Sequence, residues 1–202
     1  MIVIVDYGLG NLLSIKNMLK RVSERNVIIS SKSEVIKKAT KIILPGVGAF
    51  DNGMKHLEKY ALVDILNKKA LIEKIPFLGI CLGMQLMTKR SDEGDLPGLG
   101  WFDANTVKFD IDHSLKVPHM GWNNIKNKKN DNLFLKKNKK YRFYFVHSYH
   151  VKCNNYNDIL YTTKYGYEFH SAIKKDNLIG MQFHPEKSLH FGMDIFKSFA
   201  KL

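Results

Sequence analysis

The chain has 202 residues, of which 45% are hydrophobic, enough to bury the core of one domain of ordinary size. Its 32 Lys and Arg stand against 19 Asp and Glu, a formal charge of +13, yet no zinc-finger, RNA-recognition or P-loop pattern accompanies the surplus, so nucleic-acid binding is not expected. No apolar run nears the roughly 20 residues that span a bilayer, and two cysteines in a chain this long fit a reducing, cytoplasmic setting better than a disulfide scaffold.

The opening MIVIVD reads as a buried strand, since it lacks the basic segment and small-residue cleavage site of a signal peptide. Asn11 is placed to cap a helix that carries Leu12, Ile15, Leu19 and Val22 on one face. NVIIS is a second strand, SEVIKKAT a short helix opening at Ser33, and KIILPG a third strand stopped by Pro45 and Gly46. Met54, Leu57, Ala61 and Ile65 mark one further helix, PFLGI a fourth strand, and CLGMQLMTKR the helix after it. Strands that alternate with helices and are apolar on both faces predict an α/β fold with a mostly parallel sheet covered on both sides.

From Leu99 to Gly180 the pattern becomes strand-rich, and an antiparallel extension is expected. YRFYFVH alternates, which puts Tyr141, Phe143, Phe145 and His147 on one face. The Lys-rich stretch from Ile125 to Arg142 has no helical basic stripe and is expected as a solvated loop or hairpin. FGMDIFKSFAKL closes the chain as a helix with Ile195, Phe199 and Leu202 turned inward. Residues 1–202 read as a single domain, with the extension inserted before the last helix.

GICLG, Gly79 to Gly83, has the form G-x-C-x-G between a buried strand and a helix. A nucleophile held on a strand-to-helix elbow needs small neighbours because the bend is sharp. A helix start also lowers a thiol's pKa and offers N–H groups to an oxyanion. An inert packed thiol is the competing reading, and this stretch alone does not choose. QFHPEKS, Gln182 to Ser188, does. Proline keeps the preceding His184 extended, so His184 and Glu186 are expected on one side of the chain. His184 then takes the proton of Cys81, while Glu186 fixes the imidazole's tautomer and steadies its charge. LPGVGAF ends the third strand, at the edge where a parallel sheet forms its ligand crevice, so this loop is expected beside the elbow with a second oxyanion N–H. DYGLGN lacks the third glycine of a dinucleotide fingerprint, and Cys, His, Asp and Glu do not cluster at metal-ligand spacings. Neither a cofactor nor a metal is expected.

Together IVDYGLGN, LPGVGAF, GICLGMQLM, SDEG, KVPHMGWN, YFVHSYH and QFHPEKS resemble the class I (triad) glutamine amidotransferases, and among them the glutaminase subunits of imidazole glycerol phosphate synthase. The resemblance runs from Ile2 to the last helix, and PHMGWN and FVHSY are its more specific parts. It implies that Cys81 attacks the side-chain amide of L-glutamine, that ammonia leaves, and that water releases glutamate from a thioester. By motif position it implies an oxyanion site bordered by Gly46, Val47, Gly48 and Leu82. Gln85, Glu93, Ser148 and Tyr149 would hold the two ends of the glutamine. It also implies a heterodimer with a (βα)8-barrel synthase (cyclase) subunit that receives the ammonia, with Asn11, Met120, Trp122 and Lys187 at or near the interface. The absence of any phosphate-binding signature with which to use ammonia points to a partner independently. Glutaminase activity is expected to stay low until that partner reshapes the PGVG loop. Trp101 and Ala104 stand where an aliphatic residue and a glycine are expected. GAFDNGMKHL and IKNMLKRV are similar to paralogous subunits that supply ammonia to a nucleotide-activated surface sugar. Two acceptors therefore stand open: the precursor of imidazole glycerol phosphate and AICAR in histidine biosynthesis, and the surface sugar.

Overall fold

The computed structural model describes residues 1–112, 115–128, 134–135 and 139–202. Its first half alternates as β1 (Ile2–Val5), α1 (Leu12–Arg21), β2 (Val27–Ser30), α2 (Ser33–Lys37), β3 (Lys41–Leu44), α3 (Phe50–Lys59), α4 (Val63–Asn67), β4 (Phe77–Ile80) and α5 (Leu82–Gln85). The second half holds β5 (Ala104–Lys108), β6 (His119–Asn124), β7 (Lys126–Asn127), β8 (Arg142–His147), β9 (Tyr149–Cys153), β10 (Ile159–Tyr165), β11 (Tyr167–Lys175) and β12 (Leu178–Met181), before α6 (Leu189–Lys201). No described helix is long and apolar enough to cross a membrane.

The main sheet runs β2-β1-β3-β4-β12-β11-β10-β7, parallel from β2 to β12 and antiparallel beyond. β9 joins β11 and carries β5, while β6 and β8 form a separate antiparallel pair. β1, β4 and β12 are buried at every position, which is why their sequences run apolar without a break. Val3, Val5, Ile42, Leu44 and Phe77 face one core with Ile36, Leu57 and Leu66 of α2, α3 and α4. Ile2, Ile4, Ile43, Leu78 and Ile80 face the other with Leu19 of α1 and Phe196 of α6. Helices thus cover both faces of the parallel part.

Register then positions the site. β12 is the last strand in sequence but lies beside β4, with Met181 level with Ile80, while β3 lies on the other side of β4 with Leu44 level with Gly79. The loops that leave β3, β4 and β12 emerge side by side at the carboxyl edge, where such sheets bind ligands.

Several local expectations change. Met54, Leu57, Ala61 and Ile65 do not share one helix. Ala61 turns left-handed at φ 51°, and the N–H groups of Ala61 and Leu62 turn back to the carbonyls of Glu58 and Leu57, the closure that ends a helix. CLGMQLMTKR is helical only over α5, because the Leu99 and Trp101 N–H groups take the carbonyls of Leu86 and Met87. Asn11 occupies the N-cap of α1, but its side chain makes no capping bond at φ −94°, ψ 65°, outside the extended geometry that aims a cap at the first turn. Leu202 lies past the end of α6 and is exposed, whereas Ile195 and Phe199 are buried. In the Lys-rich stretch, residues 129–133 and 136–138 lie outside the described residues. Phe134 and Leu135 are buried in the core that α1 and α6 cover, and β7 pairs with β10, so the stretch is not solvated throughout.

Candidate active site

Cys81 sits at φ 54°, ψ −112°, a conformation that costs a non-glycine residue about 1–3 kcal/mol and persists only where its surroundings enforce it. Here they do. The Cys81 N–H bonds to the Met181 carbonyl at 2.8 Å. A Cβ on Gly83 would lie 2.8 Å from the carbonyl carbon of Leu44, and one on Gly79 2.6 Å from Met87 Cε. The elbow is therefore wedged against the end of β3 with room for glycine only. The thiol points toward the Val146 carbonyl, 4.0 Å away. One expectation is corrected: α5 has four residues, so the helix dipole offered to the thiol is small.

His184 is extended at φ −102°, ψ 94°, but Pro185–Lys187 form a 3-10 turn. That turn, and not strand alternation, brings Glu186 Oε1 within 2.8 Å of His184 Nδ1, with both side chains 2% exposed. β8 pins the segment: the His184 N–H donates to the Tyr144 carbonyl at 2.9 Å, and Ser188 Oγ donates to the His184 carbonyl at 2.6 Å while accepting the Tyr144 N–H at 3.0 Å. Burial pulls the imidazole's pKa down, but the Cys81 thiol and the Glu186 carboxylate outweigh it and push the value up to about 10. His184 Nε2 is buried without a hydrogen-bond partner. With Nδ1–H given to Glu186, Nε2 is the atom that takes a further proton, and the raised pKa keeps that proton on the ring at neutral pH.

A cavity of about 400 Å³ is lined by Val47, Gly48, Ala49, Cys81, Leu82, Gln85, Glu93, Pro118, Val146, His147, Ser148, Tyr149 and His184. It brings together the residues expected at the site, with Glu186 behind His184 and Gly46 as the exception. Gly46 is buried beneath the loop, where a Cβ would run into the Tyr7 hydroxyl and, at 2.9 Å, Leu82 Cβ. It packs closely under the elbow, with Tyr7 donating to the Pro45 carbonyl at 2.7 Å. Glu93 Oε2 accepts the Phe50 N–H at the start of α3 at 2.9 Å, which orients the carboxylate. Gln85 Nε2 donates to the Tyr149 carbonyl and to Gln182 Oε1, both at 3.1 Å, and Gln182 Nε2 lies 3.7 Å from Cys81 Sγ.

Sequence reasoning missed Gln182, His147, Pro118 and Ala49. Gln182 stood in the quoted QFHPEKS, where a polar side chain directly after the apolar run LIGM was its signal; it is fully buried, one strand over from Cys81. A larger cavity of about 550 Å³ lies against β9 and β11 and is lined in part by Cys153 and His170. There His170 Nδ1 accepts the backbone N–H of Cys153 at 3.1 Å, and Cys153 lies in a regular strand without an elbow, so the smaller cavity is the candidate active site.

Of the residues expected at an interface, Met120 and Trp122 on β6 are 62% and 42% exposed. Arg142 lies 5.4 Å over the Trp122 ring, Tyr144 meets that ring edge-on, and Lys187 Nζ lies 5.7 Å over Tyr144. Asn11 heads α1, which packs on the 185–187 turn. Leu13 and Leu189, both exposed, were not anticipated, since neither belongs to the apolar face of its helix.

A thiol on a tight elbow at the carboxyl edge of a largely parallel sheet, beside a carboxylate-paired histidine, defines a class of α/β proteins built for nucleophilic chemistry. Residues 3–201 match the family model for glutamine amidotransferase class-I, and the chain belongs to that family. It is 55% identical over 205 aligned positions to "Imidazole glycerol phosphate synthase subunit HisH 2" of Methanococcus maripaludis, covering all of this chain and 99% of the relative. The same name is carried by a Pseudomonas aeruginosa relative, 48% identical over 202 positions with full coverage of both. Among solved structures, one described as a glutamine amidotransferase is 18% identical with a TM-score of 0.77, covering 98% of this chain and 97% of that one. The structure of PurLQS from Thermotoga maritima is 16% identical with a TM-score of 0.75, covering 99% and 97%. At these identities the two show the shared fold.

Proposed function

We propose that the chain is the glutaminase subunit of an imidazole glycerol phosphate synthase, acting in histidine biosynthesis. One observation carries this reading most: a buried His184–Glu186 pair with an unpartnered Nε2 opens on the same cavity as the elbow thiol of Cys81. In the proposed cycle Cys81 gives its proton to His184 Nε2 and its sulfur attacks the amide carbon of L-glutamine. N–H groups of Leu82 and of the Val47–Gly48 loop stabilise the oxyanion. The imidazolium passes its proton to the leaving ammonia, and a thioester remains. Water, deprotonated by His184, cleaves the thioester, so glutamate leaves and the thiol is restored. Glu186 holds the ring and steadies its charge without taking the proton. Gln85, Glu93, Ser148 and Tyr149 hold the amino and carboxylate ends of the substrate.

The whole chain, 1–202, works as one domain in the cytoplasm and forms a heterodimer with a (βα)8-barrel synthase subunit. Asn11, Met120, Trp122 and Lys187 face that partner, a reading supported by the exposed apolar and aromatic side chains of β6, a type enriched at interfaces. Ammonia passes directly across the interface, because free in water most of it becomes ammonium. The Val47–Gly48 loop supports partner control: Val47 is exposed, and Gly48 at φ 103° has nothing within 4 Å of where a Cβ would stand. A loop so lightly supported can be reset by a neighbour.

A second reading, ammonia supply to a surface sugar, has in its favour the numeral 2 in both relatives' names, since a further copy is free to serve another acceptor. Trp101 and Ala104 no longer support it. Both are buried, and Trp101 Nε1 donates to Asn67 Oδ1 at 2.7 Å, so they answer to core packing. The test treats the chain, with its synthase subunit and that subunit's ligand present, with 6-diazo-5-oxo-L-norleucine. Mass spectrometry is expected to find Cys81 labelled, and Cys81→Ala is expected to abolish glutamine-dependent synthesis while ammonia-dependent synthesis continues. An unlabelled Cys81, or normal glutamine use by Cys81→Ala, refutes the reading. The synthase that co-purifies decides between the two acceptors.

A further inference from the structure

Behind the wall of the cavity runs a polar chain whose two histidines, His119 and His147, the proposed reaction leaves unused. Its directions follow from one atom without a choice, the Tyr149 carbonyl oxygen, which can only accept. His147 Nδ1, 2.8 Å away, must donate to it. Nε2 of the neutral ring then accepts, so His119 Nδ1 at 3.0 Å must donate. His119 Nε2 accepts in turn, from Asn123 Nδ2 at 3.2 Å. Asn123 Nδ2 also donates to the Lys164 carbonyl at 3.0 Å, which sets the orientation of its amide. On the other side the Tyr149 carbonyl receives Gln85 Nε2, whose second hydrogen goes to Gln182 Oε1, and Gln182 Nε2 reaches toward Cys81 Sγ. The chain thus joins β6, the strand that bears Met120 and Trp122, to the thiol.

Both rings are clamped. His119 is stacked between Tyr165 and Phe145, with centroids 4.0 and 4.8 Å away. His147 lies against Phe109 at 5.2 Å and Phe169 at 5.3 Å. Neither has room to swing to another partner. Burial lowers both pKa values, that of His119 to about 4, so both rings stay neutral at physiological pH. A second proton on His147 would set N–H against N–H at His119, and one on His119 would do the same at Asn123 Nδ2.

We propose that His119 and His147 are positioning residues for the glutaminase reaction, a tautomer-locked pair that ties β6 to the Tyr149 carbonyl and so holds Gln85, Gln182 and the Cys81 thiol in place. This rests on the reading of Cys81 as the nucleophile. A partner seated on β6 bears on the same chain.

Two measurements test it. In the wild-type chain, nitrogen-15 NMR of the histidine rings is expected to show Nδ1–H at both His119 and His147, the tautomer that free imidazole side chains disfavour and that a hydrogen bond at the other nitrogen dictates. Nε2–H at either ring overturns the proposal, and this arm needs no variant to fold. In glutamine turnover with the synthase subunit present, His119→Phe and His147→Phe keep a flat ring but remove the chain. Each is expected to lower kcat/KM by between about tenfold and a hundredfold, the scale of an ångström-sized misplacement. Alkylation of Cys81 by iodoacetamide, which needs no positioned substrate, continues. The double variant is expected to lose no more than the worse single one, because both break one chain. His119→Asn, which keeps a donor at the Nδ1 position, recovers part of the loss. Wild-type turnover in both Phe variants, or multiplicative losses in the double one, refutes the pair's role. Cys81→Ala in the same assay separates the two failures: if it is inactive while the Phe variants are normal, only the positioning role falls, and if it is active the nucleophile assignment falls.

Discussion

Replacing Gly83 with alanine tests the elbow with a single methyl group. The new Cβ would stand 2.8 Å from the Leu44 carbonyl carbon and closer still to its oxygen, with the Pro45 carbonyl carbon at 3.3 Å. Ordinary contact begins near 3.4 Å, so the carbonyl carbon at 2.8 Å alone asks for about 0.6 Å, and the nearer oxygen makes α5 or the end of β3 move by more than that. All three neighbours are backbone, and β3 is paired with β1 on one side and β4 on the other, so no rotamer change relieves the clash. Overpacking of this kind costs about 1–3 kcal/mol. The displacement passes directly to Leu82, Cys81 and the Val47–Gly48 loop, and shifts approaching 1 Å at a reacting centre cost on the order of a hundredfold in rate. Gly83→Ala is therefore expected to lower the urea midpoint and to reduce kcat/KM for glutamine by between about tenfold and a hundredfold. Gly100→Ala is the control. Gly100 is left-handed at φ 68° with nothing within 4 Å of a Cβ, so alanine there costs stability but leaves turnover alone. Wild-type stability and turnover in Gly83→Ala would show that the elbow is not wedged against β3, and the packing argument for the site would fail.

Glu186→Ala is expected to lose less kcat than His184→Ala, which removes a general base worth about 10²–10⁴-fold; the reverse order in steady-state assays would overturn the division of roles. His184 also makes stability depend on pH. Its pKa is about 10 when folded against the usual 6.5, so its contribution is complete below about pH 6.5 and is lost as pH rises toward 10. Urea midpoints between pH 6 and 10 should fall more for the wild type than for His184→Asn, and parallel curves would contradict the shift. Trp122→Ala should leave stability within about 0.5 kcal/mol, as for an exposed residue. It should weaken synthase binding by about 2 kcal/mol, as an interface anchor does. Calorimetry with an unchanged Kd would move the interface elsewhere.

Much of the site was legible because its requirements are local. G-x-C-x-G between strand and helix forecasts an elbow, since a sharp bend excludes side chains at Gly79 and Gly83. The PGVG loop was legible as a strand exit. Less legible were features that depend on what packs alongside. Ala61 reads as one more apolar helical position until the carbonyls of Glu58 and Leu57 capture the N–H groups of Ala61 and Leu62. That Gly46 packs beneath the PGVG loop, against Tyr7 and Leu82, shows only in the fold.

Local patterns carried the covered parallel sheet, the elbow at Cys81 and the His-x-Glu of 184–186, because polarity, helix period and proline or glycine geometry act over a few residues. Tertiary packing set β12 against β4 with Met181 level with Ile80, which puts His184 and Gln182 beside Cys81. It also decided that Glu186 reaches His184 through a 3-10 turn, that Trp122 is exposed, and that His119 hydrogen-bonds to His147. These are pairings between segments far apart in the chain. Their register follows from backbone hydrogen bonds and shared burial across strands, which no local pattern encodes.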